Sequence, residues 1–456
     1  MDLSALLAHA HTRLDEWEAS FGPFERHPSL QVDEAAMQTA LERYLLRLRG
    51  NYPFFHPRYA GQMLKPPHPA ALVAAVAAMR INPNNHALDG GPPTSAMEKE
   101  LVPRLAVAMG LPGTSLGHLT AGGTIANLEA LFIAREEHPG TAIAVSEAAH
   151  YTHTRMAHVL GVEAVSVPAD ALGRLDLDAL ETVLRTGRIG TVVVTAGTTG
   201  LGAVDPIADV IPLARQYGVR VHVDAAYGGF FCLLAHAEES PLAPETARHL
   251  RAVGEADSVV VDPHKHGLQP YGCGAVLFRD PGVGRHYVHD SPYTYFTSDD
   301  LHLGEISLEC SRAGAAAGAL WLTLELLPLE ADRGLGPGLA AGLRAARTWA
   351  QAVEASRNLR LLQAPELDIV AYFPHARAAS EVDRHSQRLF DRAMHDAEDP
   401  IFTALYVAAA ERLHGTTADV PRARILRSVL MKPEHEHWAE RLVGRLDDLA
   451  GRDQET

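Results

Sequence analysis

Between residues 115 and 280 the sequence alternates short apolar runs with segments of helical periodicity. The runs are too short for core helices, and their Val- and Ala-rich composition is typical of strands that are covered on both faces. The segments 126–137 and 206–217 lie between such runs and predict helices. Strands that alternate with helices form a largely parallel sheet, so this region predicts an α/β layer. The predicted strands are 142–145, 164–167, 191–195, 219–223, 258–261 and 274–278.

The rest of the chain divides around this region. Residues 1–50 predict helices, whereas 51–69 and 82–95 predict irregular structure, with a helix over 97–109. Beyond residue 310 the chain is rich in Ala and Leu, and 369–373 and 425–430 predict strands among helices. We therefore predict an N-terminal helical and irregular segment (1–65), a large domain with a mostly parallel central sheet (66–310) and a smaller C-terminal α+β domain (311–456).

Charge and cysteine content narrow the classes of function. Lys plus Arg number 40 against 56 Asp plus Glu, and the net charge of −16 disfavours binding to nucleic-acid phosphates over a broad surface. Three cysteines far apart in sequence predict neither a disulfide framework nor a zinc ribbon. The chain starts without a signal-peptide pattern and has no apolar stretch long enough for a bilayer. These features predict a cytoplasmic protein without nucleic-acid or membrane partners.

Several predicted strands lead into residues that are suited to binding a ligand, and parallel sheets bind ligands at the carboxyl ends of their strands. Gly123 and Thr124 open a helix, where backbone amides and the helix dipole favour an anion. Asp224 ends an apolar strand, where a carboxylate needs a positive partner. Lys265 follows another strand and is placed for chemistry with a carbonyl group. His150 follows a third strand.

Each of these features has a simpler structural explanation when it is taken alone. A Gly-rich helix start is more often only a turn. An aspartate at the end of a strand, such as Asp224, could cap a helix or form a structural ion pair, and a lysine is more often a surface residue. Together they fit one ligand, a phosphorylated aromatic aldehyde. Its phosphate would lie at Gly123 and Thr124, its ring nitrogen at Asp224, its aldehyde at Lys265, and the imidazole of His150 on its ring. The pattern therefore predicts pyridoxal 5′-phosphate, whose protonated ring acts as an electron sink.

Two motifs, HVDAAYGG at 222–229 and DSVVVDPHKHGLQPYGCGAVLFRD at 257–280, resemble the group II pyridoxal-phosphate amino-acid decarboxylases. The motifs TAGGTIANLEAL, AHYTHTRMAHVLGV and AGTTGLGAVDP follow the family's order and spacing, and HPRYAGQ and ILRSVLMKP are also similar. The sequence that follows Lys265 is most similar to that of archaeal and bacterial tyrosine or aspartate decarboxylases, and it also resembles sphingosine-phosphate lyase. The resemblance implies the type I, aspartate aminotransferase-like fold and a homodimer with active sites at the subunit interface.

The resemblance also implies roles for individual residues around the cofactor. Lys265 would form the Schiff base with the cofactor, and Asp224 would bind the pyridine nitrogen. His150 and Ala226 would lie on opposite faces of the ring, and Thr198 beside it. The positions implied around the phosphate are Gly123, Thr124, Ser258 and His264.

The substrate contacts are less constrained. The resemblance implies that Arg427 holds a substrate carboxylate, and Tyr59 and His86 either line the substrate pocket or only pack. Relatives protonate the substrate carbon from a loop between the lobes, where Tyr293 and Tyr295 either serve this role or only pack at the dimer interface. An aromatic amino acid is the first expectation and an acidic one the second. Two departures from the family pattern, at Ile125 and His266, leave the substrate open.

Three alternatives to simple decarboxylation stay open. Carbon–carbon cleavage, as in sphingosine-phosphate lyase, would use the same cofactor on a β-hydroxy amine. Decarboxylation coupled to oxidative deamination would yield an aldehyde and consume oxygen. A metal-binding protein would need ligands from pairs such as His222 with Asp224, His150 with His153, or His435 with His437, but no third and fourth ligand stand at motif spacing. We therefore predict no metal.

Overall fold

The computed structural model describes residues 2–288 and 307–452. The α-helices are α1 (Leu3–Ala19), α2 (Glu34–Leu48), α3 (Pro69–Ile81), α4 (Pro92–Ala108), α5 (Gly123–Glu137), α6 (Thr152–Leu160), α7 (Leu177–Leu184), α8 (Ile207–Gln216), α9 (Cys232–Ala235), α10 (Pro244–Arg251), α11 (Gly314–Leu326), α12 (Gly336–Ala355), α13 (Ala379–Met394) and α14 (Ala439–Gly451). The strands are β1 (Leu116–Thr120), β2 (Ala142–Ser146), β3 (Ala164–Val167), β4 (Ile189–Thr195), β5 (Arg220–Asp224), β6 (Ser258–Val261), β7 (Gly274–Phe278), β8 (Leu359–Leu361), β9 (Ile369–Pro374), β10 (Ala404–Ala409) and β11 (Arg422–Val429).

A mostly parallel sheet forms the centre of the large lobe. Its strand order is β1-β7-β6-β5-β4-β2-β3, and β3, β2, β4, β5 and β6 run parallel. β7 is antiparallel to both β6 and β1, so β1 points in the same direction as β6. Every residue of β4 and β6 is buried, as expected for strands that helices cover on both faces. The α/β prediction is therefore confirmed, and the carboxyl ends of β1, β2, β4, β5 and β6 meet at one edge.

The predicted elements of this lobe agree with the structure except at two places. All six predicted strands are present, but β1 escaped prediction because Gly117 and His118 interrupt its apolar pattern. The helix predicted over 97–109 starts earlier, at Pro92. The prediction of irregular structure up to residue 95 was wrong there, because proline is well tolerated in the first turn of a helix, where its missing N–H has no intrahelical partner.

A second, antiparallel sheet forms the C-terminal lobe, with strand order β10-β11-β9-β8. Its core includes Trp349 of α12, Leu389 of α13 and Leu446 of α14, which pack with Tyr372 of β9. The sequence predicted β9 and β11 but not β8 and β10. A smaller α+β lobe is therefore present after the large sheet, and the boundaries at 65/66 and 310/311 stay predictions.

The N-terminal segment carries α1 and α2, and neither helix has a buried residue. α2 exposes Leu41, Tyr44 and Leu45 among other large apolar side chains. In the part of the chain that the structure describes, no helix combines the length and the apolar character needed to cross a membrane.

Candidate active site

Residues that follow the parallel strands line one cavity at the carboxyl edge of the large sheet. β5 ends at Asp224, and β6 leads into the turn that carries Lys265. The loops after β1 and β2 contribute Gly123 and His150. The cavity has a volume of about 320 Å³. Its lining consists of Ala121, Gly122, Gly123, Thr124, Ile125, Asn127, His150, Thr152, Thr195, Gly197, Thr199, Asp224, Ala226, Tyr227, Asp262, His264 and Lys265.

The start of α5 forms a narrow backbone cradle at one end of this cavity. Gly122 has a φ of 147°, a backbone conformation that residues other than glycine rarely adopt. A Cβ at Gly123 would lie 2.8 Å from Oδ2 of Asp262, and one at Gly122 would lie 3.2 Å from the ring of His264. The two glycines therefore let the N-terminus of a 15-residue helix open directly into the cavity, where its dipole favours an anion.

Asp224 also lines the cavity and is fixed by two donors. Its Oδ1 accepts a hydrogen bond from the Ala226 backbone N–H at 3.1 Å, and its Oδ2 faces the imidazole of His153. Burial raises the pKa of this carboxyl, but the His153 hydrogen bond and the charge of Lys265 outweigh burial and hold the pKa well below its usual range. An ionised aspartate at this place is suited to bind a protonated ring nitrogen.

Lys265 lines the same cavity as the cradle and Asp224. Its Nζ lies 3.1 Å from Oδ2 of Asp262, a carboxylate that comes from the end of the same strand. Oδ1 of Asp262 and Nδ1 of His264 are buried without a hydrogen-bond partner in the described part of the chain. Unpartnered polar atoms that surround a lysine and a helix N-terminus indicate a polar ligand in this cavity.

His150 and Ala226 both line the cavity, and their predicted positions on the two faces of a flat ring stay a prediction. Nδ1 of His150 lies 2.7 Å from the hydroxyl of Thr152, which fixes the orientation of the imidazole. Burial lowers the pKa of His150. The charge of Asp224 raises this pKa and the charge of Lys265 lowers it, both by less than burial does. An uncharged imidazole at this place can lie against an aromatic ring.

A larger groove of about 830 Å³ adjoins the cavity and shares His150 and Thr199 with it. Arg427 of β11 lines this groove and is only 5% exposed. One Nη of Arg427 donates to Oε1 of Gln62 at 3.2 Å, and its Nε has no hydrogen-bond partner among the described residues. Burial lowers the pKa of this guanidinium. A buried guanidinium with so few acceptors is suited to bind an anion.

The other predicted site residues that the structure describes do not line the cavity. Thr198 lines the groove and not the cavity, where its neighbour Thr199 stands instead. Ser258 begins β6, away from the carboxyl edge, and bonds Nδ1 of His222 at 2.9 Å. Tyr59 and His86 line neither space. Their roles stay predictions, and Tyr293 and Tyr295 lie outside the described residues.

Asp262 and His153 are site residues to which sequence reasoning gave no role at the cofactor. Both stand inside motifs that carried the resemblance, Asp262 three residues before the lysine and His153 three residues after His150. His153 entered only as a possible metal ligand, whereas its Nε2 binds Asp224 and the nearby His222 binds Asn127 and Ser258. Their spacing from known site residues was a usable signal, but only the fold shows which side chains point inward.

The donor set matches pyridoxal 5′-phosphate at three separate points. The glycine cradle and the unpartnered Nδ1 of His264 suit a phosphate, the ionised Asp224 suits a protonated pyridine nitrogen, and Lys265 in the same cavity suits the aldehyde. The residues present therefore fit the predicted cofactor.

Comparisons with known proteins agree with this geometry. The family model "Pyridoxal-dependent decarboxylase conserved domain" matches residues 54–373, which is more than half of the chain. The L-tyrosine decarboxylase of Levilactobacillus brevis is 28% identical over 68% of this chain and 65% of its own length. The L-2,4-diaminobutyrate decarboxylase of Rhizobium meliloti is 30% identical over 67% of this chain, and the match spans 63% of that relative. The L-aspartate decarboxylase of Thermococcus kodakarensis is 30% identical over 74% of this chain and 85% of its own length.

Solved structures share the fold across nearly the whole chain. The structure of mouse CSAD has a TM-score of 0.79 at 22% identity and covers 98% of both chains. Oryza sativa TDC with PLP and tryptamine has a TM-score of 0.77 at 18% identity, again with 98% of both chains covered. The predicted type I fold is confirmed by these neighbours. The chain therefore belongs to the pyridoxal-dependent decarboxylase family, and pyridoxal 5′-phosphate is the cofactor that its cavity fits.

Proposed function

We propose that the protein removes the α-carboxyl group of an L-amino acid and releases the corresponding amine and CO2. The observation that carries this proposal is the buried guanidinium of Arg427 beside the cavity of Lys265. An amino acid has an amine and a carboxylate on one carbon. Its amine would be directed to the cofactor at Lys265 and its carboxylate to Arg427, which can bind both carboxylate oxygens.

The position of the carboxylate decides which bond breaks. When bound, pyridoxal 5′-phosphate supplies an electrophilic aldehyde and a ring that accepts electrons. A bond to Cα breaks most easily when it stands perpendicular to that ring. Arg427 would fix the carboxylate, Asp224 would keep a proton at the ring nitrogen, and His150 would shield the ring from water. Proton delivery to Cα by Tyr293 or Tyr295 stays a prediction.

The side-chain end of the substrate would occupy the groove. Tyr406 and Tyr151 line it, and Tyr406 lies so close to Gly200 that an added Cβ there would come within 2.6 Å of the phenol ring. These aromatic walls favour an aromatic amino acid as the first candidate. Arg412 and Arg422 line the same groove and support an acidic amino acid as the second. The relatives named for tyrosine, aspartate and 2,4-diaminobutyrate set the first members of any substrate panel.

We also propose that two copies of the chain associate and that the enzyme acts in the cytoplasm. The exposed side chains Leu41, Tyr44 and Leu45 on α2 support the homodimer, since large apolar surfaces are usually covered by a partner. Sedimentation of the purified protein tests the association. A monomer at working concentration would contradict it, and cell fractionation tests the location.

A panel of amino acids offered to the cofactor-loaded protein, with products identified by mass, tests the reaction. The expected result is one amine that has lost CO2 from its parent, and Lys265→Ala should abolish it. An aldehyde with oxygen consumption would favour oxidative deamination instead. A product shortened at the Cα–Cβ bond would favour carbon–carbon cleavage. No product from any member, with the cofactor still bound, would contradict decarboxylation of these amino acids.

A further inference from the structure

His266, the residue that follows Lys265, binds oxygen atoms with both of its ring nitrogens. Nδ1 lies 3.1 Å from the carbonyl oxygen of Tyr227, and Nε2 lies 2.8 Å from Oδ2 of Asp368. The hydroxyl of Tyr227 donates to the other oxygen of Asp368 at 2.5 Å. These three residues are 1–3% exposed and form a closed ring of hydrogen bonds, which we call the His266 bridge.

The His266 bridge joins three parts of the chain that meet at the cofactor. His266 belongs to the turn that carries Lys265, and Tyr227 follows Ala226 on the turn that leads away from Asp224. Asp368 comes from the C-terminal lobe, directly before β9. Because Lys265 and Asp224 would bind different positions of one cofactor ring, the spacing between their two turns would determine how that ring is held.

The partners of Asp368 in the bridge stabilise its ionised form. Burial alone would raise the pKa of Asp368, but the facing His266, the Tyr227 hydroxyl and the charge of Lys65 hold it below its usual range. An ionised carboxylate buried in this way requires its partners, because breaking a buried pair from one side leaves an uncompensated charge. The lysine turn has other local bonds, such as Lys265 N–H to the Asp262 carbonyl at 2.9 Å, and the Asp262 N–H also donates to the Ala226 carbonyl at 3.3 Å. The backbone therefore joins the two turns as well, and the bridge adds side-chain bonds between them and a link to the C-terminal lobe.

We propose that His266 and Asp368 are positioning residues that set the spacing between Lys265 and Asp224. Asp368 makes this spacing depend on the docking of the C-terminal lobe against the large sheet. The inference rests on the proposed function only in requiring that the cavity binds its cofactor, whichever amino acid reacts. Sequence reasoning noted His266 merely as a departure from the family pattern, and the bridge gives that departure a role.

The test compares His266→Met with Asp368→Asn in the cofactor-loaded protein. We measure the dissociation constant of pyridoxal 5′-phosphate, the visible circular dichroism of the bound cofactor, and the melting temperature. Loss of the bridge is expected to raise the dissociation constant about tenfold, the effect of one charged hydrogen bond, and to weaken the visible dichroism. If turnover is measurable, kcat should fall more than KM changes.

His118→Met is the matched control, because His118 has the same pattern of bonds at another place. Its Nδ1 lies 2.7 Å from the Leu119 carbonyl oxygen and its Nε2 lies 2.8 Å from Oε2 of Glu129, and both side chains are fully buried. This variant should lower the melting temperature and leave the cofactor signals unchanged.

The outcomes separate positioning from stability. A His266→Met protein that melts lower but binds the cofactor with unchanged affinity and dichroism would overturn the proposal. If His266→Met does not fold, Asp368→Asn keeps the side-chain shape, and unchanged cofactor signals in that variant would overturn it equally. The double variant should melt higher than His266→Met alone, since the buried carboxylate that lost its imidazole partner is then neutral, without recovering the dichroism. None of these readouts requires decarboxylation, so they stand even if no substrate is found.

Discussion

Nε2 of His153 lies 2.8 Å from Oδ2 of Asp224, and both side chains are buried. His153 belongs to the first turn of α6, so this hydrogen bond links the loop of His150 to the end of β5. The imidazole N–H therefore stabilises the charged form of the carboxylate from the side that faces away from the cavity. If Asp224 binds the ring nitrogen as proposed, the protonation of a bound cofactor ring would depend on that charge, and His153 would have an indirect part in the reaction.

We expect His153→Phe to lower kcat about 10- to 100-fold, since a hydrogen bond to a buried charge contributes about 1.5–3 kcal/mol. The pKa of Asp224 lies below its usual range in the folded protein and should rise in the variant. Activity would then be lost at a higher pH as the solution is acidified, because Asp224 becomes protonated there. The pH dependence of kcat measures this shift. His222→Gln, which alters a neighbouring imidazole that bonds Asn127 and Ser258, should leave the acid limb where it is.

Replacing Lys265 by alanine should remove both turnover and the visible absorbance of the lysine-bound cofactor. No other described lysine lines the cavity, and the nucleophile of covalent catalysis has no substitute there. Absorbance spectra and the amine assay check the two losses separately. Lys99→Ala, at an exposed position of α4, serves as the control and should match the unchanged enzyme. Retained turnover in Lys265→Ala would mean that the cofactor is bound elsewhere.

Arg427→Gln should raise KM for the substrate by about 10- to 100-fold, the loss of a charge-assisted, two-point contact. The melting temperature should change little or increase, because a buried guanidinium with few acceptors is removed. For an aromatic substrate, Arg422→Gln changes an exposed guanidinium of the same groove and should alter KM less than about threefold, in line with exposed ion pairs. Equal effects of the two substitutions would place the substrate carboxylate at the rim and not at Arg427.

The central sheet could be predicted from sequence because its inner strands are buried on both faces. β4 and β6 each contain three consecutive valines, and the valines of β5 flank a buried His222. The three strands that were missed, β1, β8 and β10, all lie at the edge of a sheet. β8 and β10 are partly exposed and therefore carry mixed residues, and β1 contains a buried His118 that is acceptable only because Glu129 binds it.

The candidate site could be predicted to the extent that its residues end strands. Gly123, Asp224 and Lys265 come together because parallel strands share an edge, and this follows from topology alone. Ser258 stands at the start of β6, three residues before its end, and a strand advances about 3.3 Å per residue, so its motif position does not bring it to the cavity. Asp368 could not have been found from sequence, since its contact with His266 joins residues 102 positions apart.

The buried Lys432 should make stability depend on pH. It is 3% exposed, its Nζ donates to the Tyr59 carbonyl oxygen at 2.6 Å, and burial, together with the charge of Lys65, lowers its pKa to about 7. In the unfolded chain the pKa returns to about 10.4. Between these two values the unfolded chain binds a proton that the folded protein does not, so the free energy of unfolding rises with pH across this window.

Urea unfolding at about pH 7 and about pH 9 measures this rise, which cannot exceed about 1.4 kcal/mol per pH unit for one group. In Lys432→Met the rise should be smaller, but some of it should persist, because burial also lowers the pKa of Lys65 to about 8. Lys99→Met removes an exposed lysine and should show the same rise as the unchanged protein. If Lys432→Met showed that full rise as well, Lys432 would be titrating alike in the folded and unfolded states, and its burial beneath Tyr59 would not persist in solution.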